Sequence, residues 1–203
     1  MRLSPRPLRR AVLPVRNPHG VIGTATVVAP GLALTALHVI TPERPGSLSL
    51  GSNYPVVAVE TLPVAEYHGV QEHAHRSQRR AQRLVGGDID VALGTVDLVL
   101  LAVPGLHGPV LSPRATPVEV GEHLVVPGYP GGHWCVSQGP VTGADEADFA
   151  VQMLLGPGAS GAPALDRDHR LAGVVTLDHE AATVCIGPVL VSTFLQQLQA
   201  VVG

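Results

Sequence analysis

Lysine is absent from this chain, and aromatic residues, cysteines and charges are all scarce. All 13 basic side chains are Arg. Two cysteines, Cys135 and Cys185, are too few to staple a small secreted scaffold, and they read as two separate thiols or a single bridge. Aromatics make up 3% of the 203 residues, which argues against a barrel or sandwich built on Trp and Tyr and leaves an aliphatic core of Val, Leu, Ala and Ile. No apolar run approaches the ~18 residues of a membrane-spanning helix. The apolar stretch behind the basic start is five residues long and contains Pro14, too short and too broken for a secretory signal. These absences predict no membrane span and a cytoplasmic location. The formal net charge of -3 divides into about +6 on residues 1–83 and about -9 on residues 84–203. The chain as a whole therefore lacks the basic footprint of a nucleic-acid binder.

What the sequence has is turn formers. Gly and Pro together number 42, about a fifth of the chain, which suits many short strands and not a helical bundle. Residues 1–18 are rich in Pro and Arg and read as a flexible or extended lead-in. From Gly20 the pattern becomes β-branched: residues 21–28, a Pro30-Gly31 turn, then residues 32–36 returning. Further strand candidates are 47–50, 56–61, 88–93, 99–103, 124–126, 135–142, 149–155, 171–177 and 182–186. Residues 64–88 interrupt this rhythm as a polar insertion, with Arg76, Arg79, Arg80 and Arg83 on one face of a surface helix or in an unstructured excursion. Residues 104–117 carry four Pro and two Gly and read as a connector. Ser192 is positioned to cap a terminal helix that buries Phe194, Leu195 and Leu198. No β-α-β alternation occurs. The expectation is an all-β protein of two lobes, 19–110 and 111–203, each of about six strands, with a C-terminal helix.

Three segments carry chemistry. His38 ends the run Leu34-Thr35-Ala36-Leu37-His38, where an imidazole is either functional or a satisfied structural residue. Asp90 sits inside the apolar strand Ile89 to Leu93, where a buried carboxylate needs a donor and a solvent-facing one does not. Ser160 lies in Gly156-Pro157-Gly158-Ala159-Ser160-Gly161-Ala162-Pro163. Small residues there let the backbone turn sharply and aim adjacent N–H groups at one point, as an oxyanion hole requires. A plain Gly/Pro loop has the same composition. His68, Glu72, His73 and His75 could face a metal together, but no Cys or ligand motif accompanies them, so no metal or cofactor is expected.

His, Asp and Ser in that chain order form the arrangement of one hydrolase class among three. On these residues the chain resembles the trypsin/chymotrypsin clan of serine proteases, and within it the bacterial HtrA-like (Deg) branch. Thr35-Ala36-Leu37-His38 is similar to the clan's T-A-x-H motif, Asp90-Val91-Ala92-Leu93 to D-[IV]-A-L, and Gly158-Ala159-Ser160-Gly161-Ala162-Pro163 to G-[DN]-S-G-G-P. The likeness extends through Gly128-Tyr129-Pro130, residues 139–143 and Leu171 to Thr176, from about Gly20 to Leu198.

The resemblance implies two six-stranded β-barrel lobes with the site between them. It implies a serine endopeptidase acting on polypeptides, with Ser160 as nucleophile, His38 as general base and Asp90 as its carboxylate partner. Asp88, on the same strand face, is the alternative partner. The backbone N–H groups of Gly158 and Ser160 would form the oxyanion hole. Leu155, Thr176, Leu177 and Asp178 would line the substrate pocket, and any regulatory protein or domain would lie outside this chain. Two departures bear on activity: Ala159 stands where digestive relatives carry the Asp of a zymogen switch, and Ala162 replaces a Gly beside the loop. They leave open a catalytically weak or inactive binding protein on the same fold. A partner-gated processing protease or esterase, with residues 64–88 over the cleft, is also open.

Overall fold

The computed structural model describes residues 5–40, 43, 45–60, 96–145, 147–179 and 182–202. The chain opens with helix α1 (Pro5–Ala11) and strand β1 (Val12–Asn17). Then follow β2 (Gly20–Ala29), β3 (Leu32–Thr35) and the single turn of helix α2 (Leu37–Ile40). The short strands β4 (Ser49–Leu50), β5 (Tyr54–Pro55) and β6 (Ala58–Glu60) precede β7 (Val99–Ala102). These seven form one sheet in the order β5-β4-β1-β2-β3-β7-β6, one strand more than the six expected and not closed among the described residues.

Two of the seven, β1 and the short β5, are not among the strands expected from sequence, while the expected strand 88–93 lies outside the described residues; β1 falls where the sequence predicts a lead-in. Pro14 and the surrounding Arg residues obscure a strand buried on both faces, with Val12 in one core cluster and Val15 in the other. Pro14 is tolerated because it faces Thr24, whose N–H and C=O are engaged by Ser160 and Thr35 and ask nothing of β1. The Pro14 carbonyl is used on the opposite side, where it accepts from Gly51 N–H at 2.9 Å.

The second lobe is the closed six-stranded barrel expected, in the order β10-β13-β12-β11-β8-β9. Its strands are β8 (His123–Gly128), β9 (Cys135–Ala144), β10 (Asp148–Val151), β11 (Pro163–Leu165), β12 (Leu171–His179) and β13 (Ala182–Ile186). Cys135 is exposed on β9, Cys185 is buried on β13, and no disulfide joins them. Helix α3 (Pro188–Val202) ends the described chain. It starts ahead of Ser192, the cap expected from sequence, because Pro188 suits a first helical position. No helix among the described residues is long and apolar enough to cross a membrane.

Alternation along β3 and β7 explains how the lobes share a core. Ala33 and Leu101 face the interior of the first sheet with Val15, Ala25 and Val27. Leu34 and Leu100 point the other way, into a second cluster with Leu111, Leu165, Leu171 and Phe194. Both faces of the two strands are therefore buried. The connector is tied to both lobes as well: Leu111 N–H donates to Val27 O and Leu171 N–H to Ser112 O. Arg114 within it is buried and grips Glu122 through both nitrogens, Nη1 to Oε2 at 2.7 Å and Nη2 to Oε1 at 3.1 Å.

Candidate active site

The antiparallel pairing of β3 with β7 sets Thr35 opposite Val99. The residues just beyond, entering α2 on one strand and preceding β7 on the other, are thereby brought face to face. His38 lies on α2, held by its buried neighbours Val39 and Ile40. Asp97 stands at the tight turn before β7, where Leu98 N–H donates to Val96 O at 2.7 Å. Its carboxylate meets His38 twice. Oδ1 accepts the His38 backbone N–H at 2.9 Å, and Oδ2 lies 2.7 Å from the ring Nδ1. A carboxylate only accepts, so Nδ1 carries the proton and Nε2 is left with its lone pair. Burial by itself pushes the imidazole pKa down, but the hydrogen bond and the charge of Asp97 outweigh it and hold His38 above its ordinary 6.5.

Among the described residues the carboxylate that contacts His38 is Asp97, whereas the sequence resemblance assigns the partner's role to Asp90. Asp90 and Asp88 lie outside the described residues, as do the polar insertion 64–88 and its His, Glu and Arg clusters. A sequence signal for Asp97 exists: it directly precedes the apolar run Leu98 to Val103. The Asp90 segment has the same form and matches the family letters more closely, while the β3–β7 register is what brings Asp97 beside His38.

The Ser160 loop packs against the approach to α2. A Cβ on Gly161 would strike Thr24 O and Thr35 Oγ1. One on Gly23 would lie 2.5 Å from Val39 and 3.2 Å from Ser160 O. Ser160 Oγ is directed at Thr176 O at 3.5 Å, and among the described residues no hydrogen bond joins it to His38. The loop is fixed to β12 by Gly161 N–H to Val175 O (2.7 Å) and Val175 N–H to Ala162 O (2.9 Å). Ala159 N–H turns back to Gly156 O. The N–H groups of Gly158 and Ser160 have no partner among the described residues. Position 158 requires glycine twice over: its φ is +95°, and a Cβ would sit 2.6 Å from Tyr129 O. The Ala162 methyl is accommodated by Gly128, where a Cβ would come within 3.1 Å of it.

Thr24 was not legible from sequence as a site residue, yet it anchors the loop with every polar atom it has. Fully buried on β2, it donates from N–H to Ser160 O (2.9 Å) and from Oγ1 to Gly158 O (2.8 Å). Its Oγ1 accepts from Tyr129 N–H (3.1 Å), and its carbonyl accepts from Thr35 Oγ1 (2.6 Å). One residue, through its backbone and its hydroxyl, thus ties the His38 strand, the Ser160 loop and the segment after β8.

Of the expected pocket residues, Thr176 stands beside Ser160, and Leu177 pairs with Val184 across β12 and β13. Asp178 pairs through its backbone with Thr183. Leu155 packs into the second barrel's core, while its neighbour Leu154 is 61% exposed.

Residues 23–174 match the family described as trypsin-like peptidase domain. Similar solved structures include the active form of the Rv3671c protease from M. tuberculosis, at 21% identity over 92% of this chain and 80% of that one, with a TM-score of 0.66. A Glu endopeptidase aligns at 15% identity over 98% of this chain and 95% of that one, with a TM-score of 0.69. The serine endoprotease from Yersinia pestis aligns at 19% identity over 95% of this chain and 64% of that one, with a TM-score of 0.65. No curated protein matches the sequence. At these identities the structural likeness shows the fold, a chymotrypsin-like one. By the match over residues 23–174, the chain belongs to the trypsin-like peptidase family.

Proposed function

We propose that this chain is a serine endopeptidase that hydrolyses peptide bonds through Ser160, His38 and Asp97. The observation that carries the reading is the double grip of Asp97 on His38, which fixes the ring by its backbone and its Nδ1 and leaves Nε2 as a base. In the reaction, Ser160 Oγ turns from Thr176 O toward Nε2, gives up its proton and attacks the scissile carbonyl. The unpaired N–H groups of Gly158 and Ser160 receive the negative charge that develops on the carbonyl oxygen. His38 then passes the proton to the leaving amine, with Asp97 stabilising the imidazolium. Water repeats the sequence to release the acid. The acyl half of the substrate runs along β12 past Thr176 and Leu177.

A second reading, a weakly active or inactive binding protein on the same fold, is favoured by the Ser160 hydroxyl resting on Thr176 O and not on His38. Labelling with a fluorophosphonate, read by intact mass, separates the two. A single adduct that is absent from Ser160→Ala supports the peptidase. No adduct after long incubation of folded protein supports the binding protein.

A further inference from the structure

The Ser160 loop has two flanks. On one, β12 accepts the Ser160 hydroxyl. On the other, Gly131 N–H donates to Pro157 O at 2.7 Å and Tyr129 O lies against Gly158. This second flank, residues 129–134, carries an aromatic pair: the Tyr129 and Trp134 rings meet edge to face with centroids 5.4 Å apart. Two cations from the start of the chain act on it, Arg9 by direct contact and Arg16 through its charge. The Arg9 guanidinium on α1 lies 5.2 Å from the Trp134 centroid. Arg16, on β1, has its Nε buried and without a hydrogen-bond partner. Neither Arg makes an ion pair among the described residues. Burial raises the Tyr129 pKa, while the charges of Arg9 and Arg16 both pull it down, so both cations act on the same ring. Two guanidinium groups without an ion pair among the described residues, Arg9 over the Trp134 ring and Arg16 with its charge felt at Tyr129 and a buried unused donor, have no part in the proton transfers proposed above. They match a carboxylate, which accepts from guanidinium in charge-assisted hydrogen bonds.

We propose that Arg9, Arg16, Tyr129 and Trp134 form a subsite for a carboxylate of the bound polypeptide, on the flank of the Ser160 loop opposite β12. This rests on the peptidase reading, which lays the acyl half along β12 and so places the acidic residue in the leaving-group half. The enzyme would cleave on the N-terminal side of acidic sequence.

Trp134 is the only tryptophan in the chain, so its emission reports on the shelf without any need for turnover. Folded Ser160→Ala protein is titrated with three matched peptides. The first has Glu in the leaving-group half and an amidated C-terminus, the second has Gln in its place, and the third is the Gln peptide with a free C-terminal carboxylate. The Glu peptide is expected to shift Trp134 emission and to bind about tenfold tighter than the amidated Gln peptide. Arg9→Gln and Arg16→Gln in the same background should each erase most of that preference. Arg167→Gln, which removes a cation from an exposed turn, should leave it intact. Tight binding of only the free-carboxylate peptide keeps the subsite and assigns it to chain ends. Equal binding of the first two peptides with no gain for the third overturns the proposal, as does a preference untouched by either Arg substitution. So does an oligonucleotide that outcompetes the Glu peptide with the same Arg dependence. Fluorophosphonate labelling of the unmodified enzyme is scored separately. A failed label beside a retained Glu preference removes the peptidase reading and leaves the carboxylate subsite standing.

Discussion

Replacing Asp97 by Asn tests the site at its most specific point. The carboxylate accepts the His38 backbone N–H at 2.9 Å and faces Nδ1 at 2.7 Å. An amide of the same shape keeps the first contact through its oxygen but turns an NH2 donor toward Nδ1. The ring then places its proton on Nε2, where it no longer serves as a base. In the well-studied triad of this type, that exchange costs about 10⁴ in turnover. The same order is expected here for the rate of fluorophosphonate labelling. The pH dependence should move as well. His38 is held above 6.5 by the hydrogen bond and charge of Asp97 against the opposing effect of burial. Without that charge the burial effect is left, so the acid limb of whatever labelling survives should shift to lower pH. Labelling rates over about pH 5 to 8, with intact mass as readout, measure both. Asp90→Asn, run alongside, should label like the unmodified protein. An Asp97→Asn protein that labels at the unmodified rate, beside an Asp90→Asn protein that does not, would refute the assignment and return the role to Asp90.

Thr24→Val removes the hydroxyl that joins Gly158 O to Tyr129 N–H and leaves two part-buried groups without that partner. Stability should fall by about 1–3 kcal/mol, and kcat should fall about tenfold or more with KM little changed. Thr24→Ser should restore most of kcat, and a kcat unchanged in Thr24→Val would mean that the hydroxyl only braces the fold. Gly158→Ala should abolish labelling in a protein that still gives a cooperative melt, because its Cβ would meet Tyr129 O at 2.6 Å in a backbone with φ of +95°; unimpaired labelling would show that the oxyanion donors lie elsewhere. Glu122 is held below its usual 4.5 mainly by its hydrogen bond to Arg114. Its contribution to stability is present above about pH 4.5 and is lost as pH falls through its folded-state value. Glu122→Gln should lower the melting temperature by about 2–4 °C per kcal/mol lost at neutral pH, with the gap to the unmodified protein closing in acid.

The sequence alone determined the strand-rich architecture, and it singled out His38, Ser160 and Gly158 as the residues on which the proposed reaction rests. Alternation and turn residues mark β2, β3, β8, β12 and β13, because strand formation along a segment depends mainly on which of its own side chains alternate. His38 and Ser160 sit in local contexts that few other positions share. Strand β1 was hidden because Pro14 and the nearby Arg residues read as breakers. Whether a proline can be tolerated in a strand depends on the hydrogen-bonding needs of its partner, here Thr24, and that partner is distant in sequence. The carboxylate opposite His38 was decided by tertiary structure for the same reason. Asp90 and Asp97 each adjoin an apolar strand-like run, and nothing within either segment tells which lies beside α2. The pairing of Thr35 with Val99 does, since antiparallel register carries Asp97 to His38. The role of Thr24 and the meeting of Arg9, Tyr129 and Trp134 are likewise products of packing, which joins residues from separate segments by shape and hydrogen bonding that no single stretch of sequence encodes.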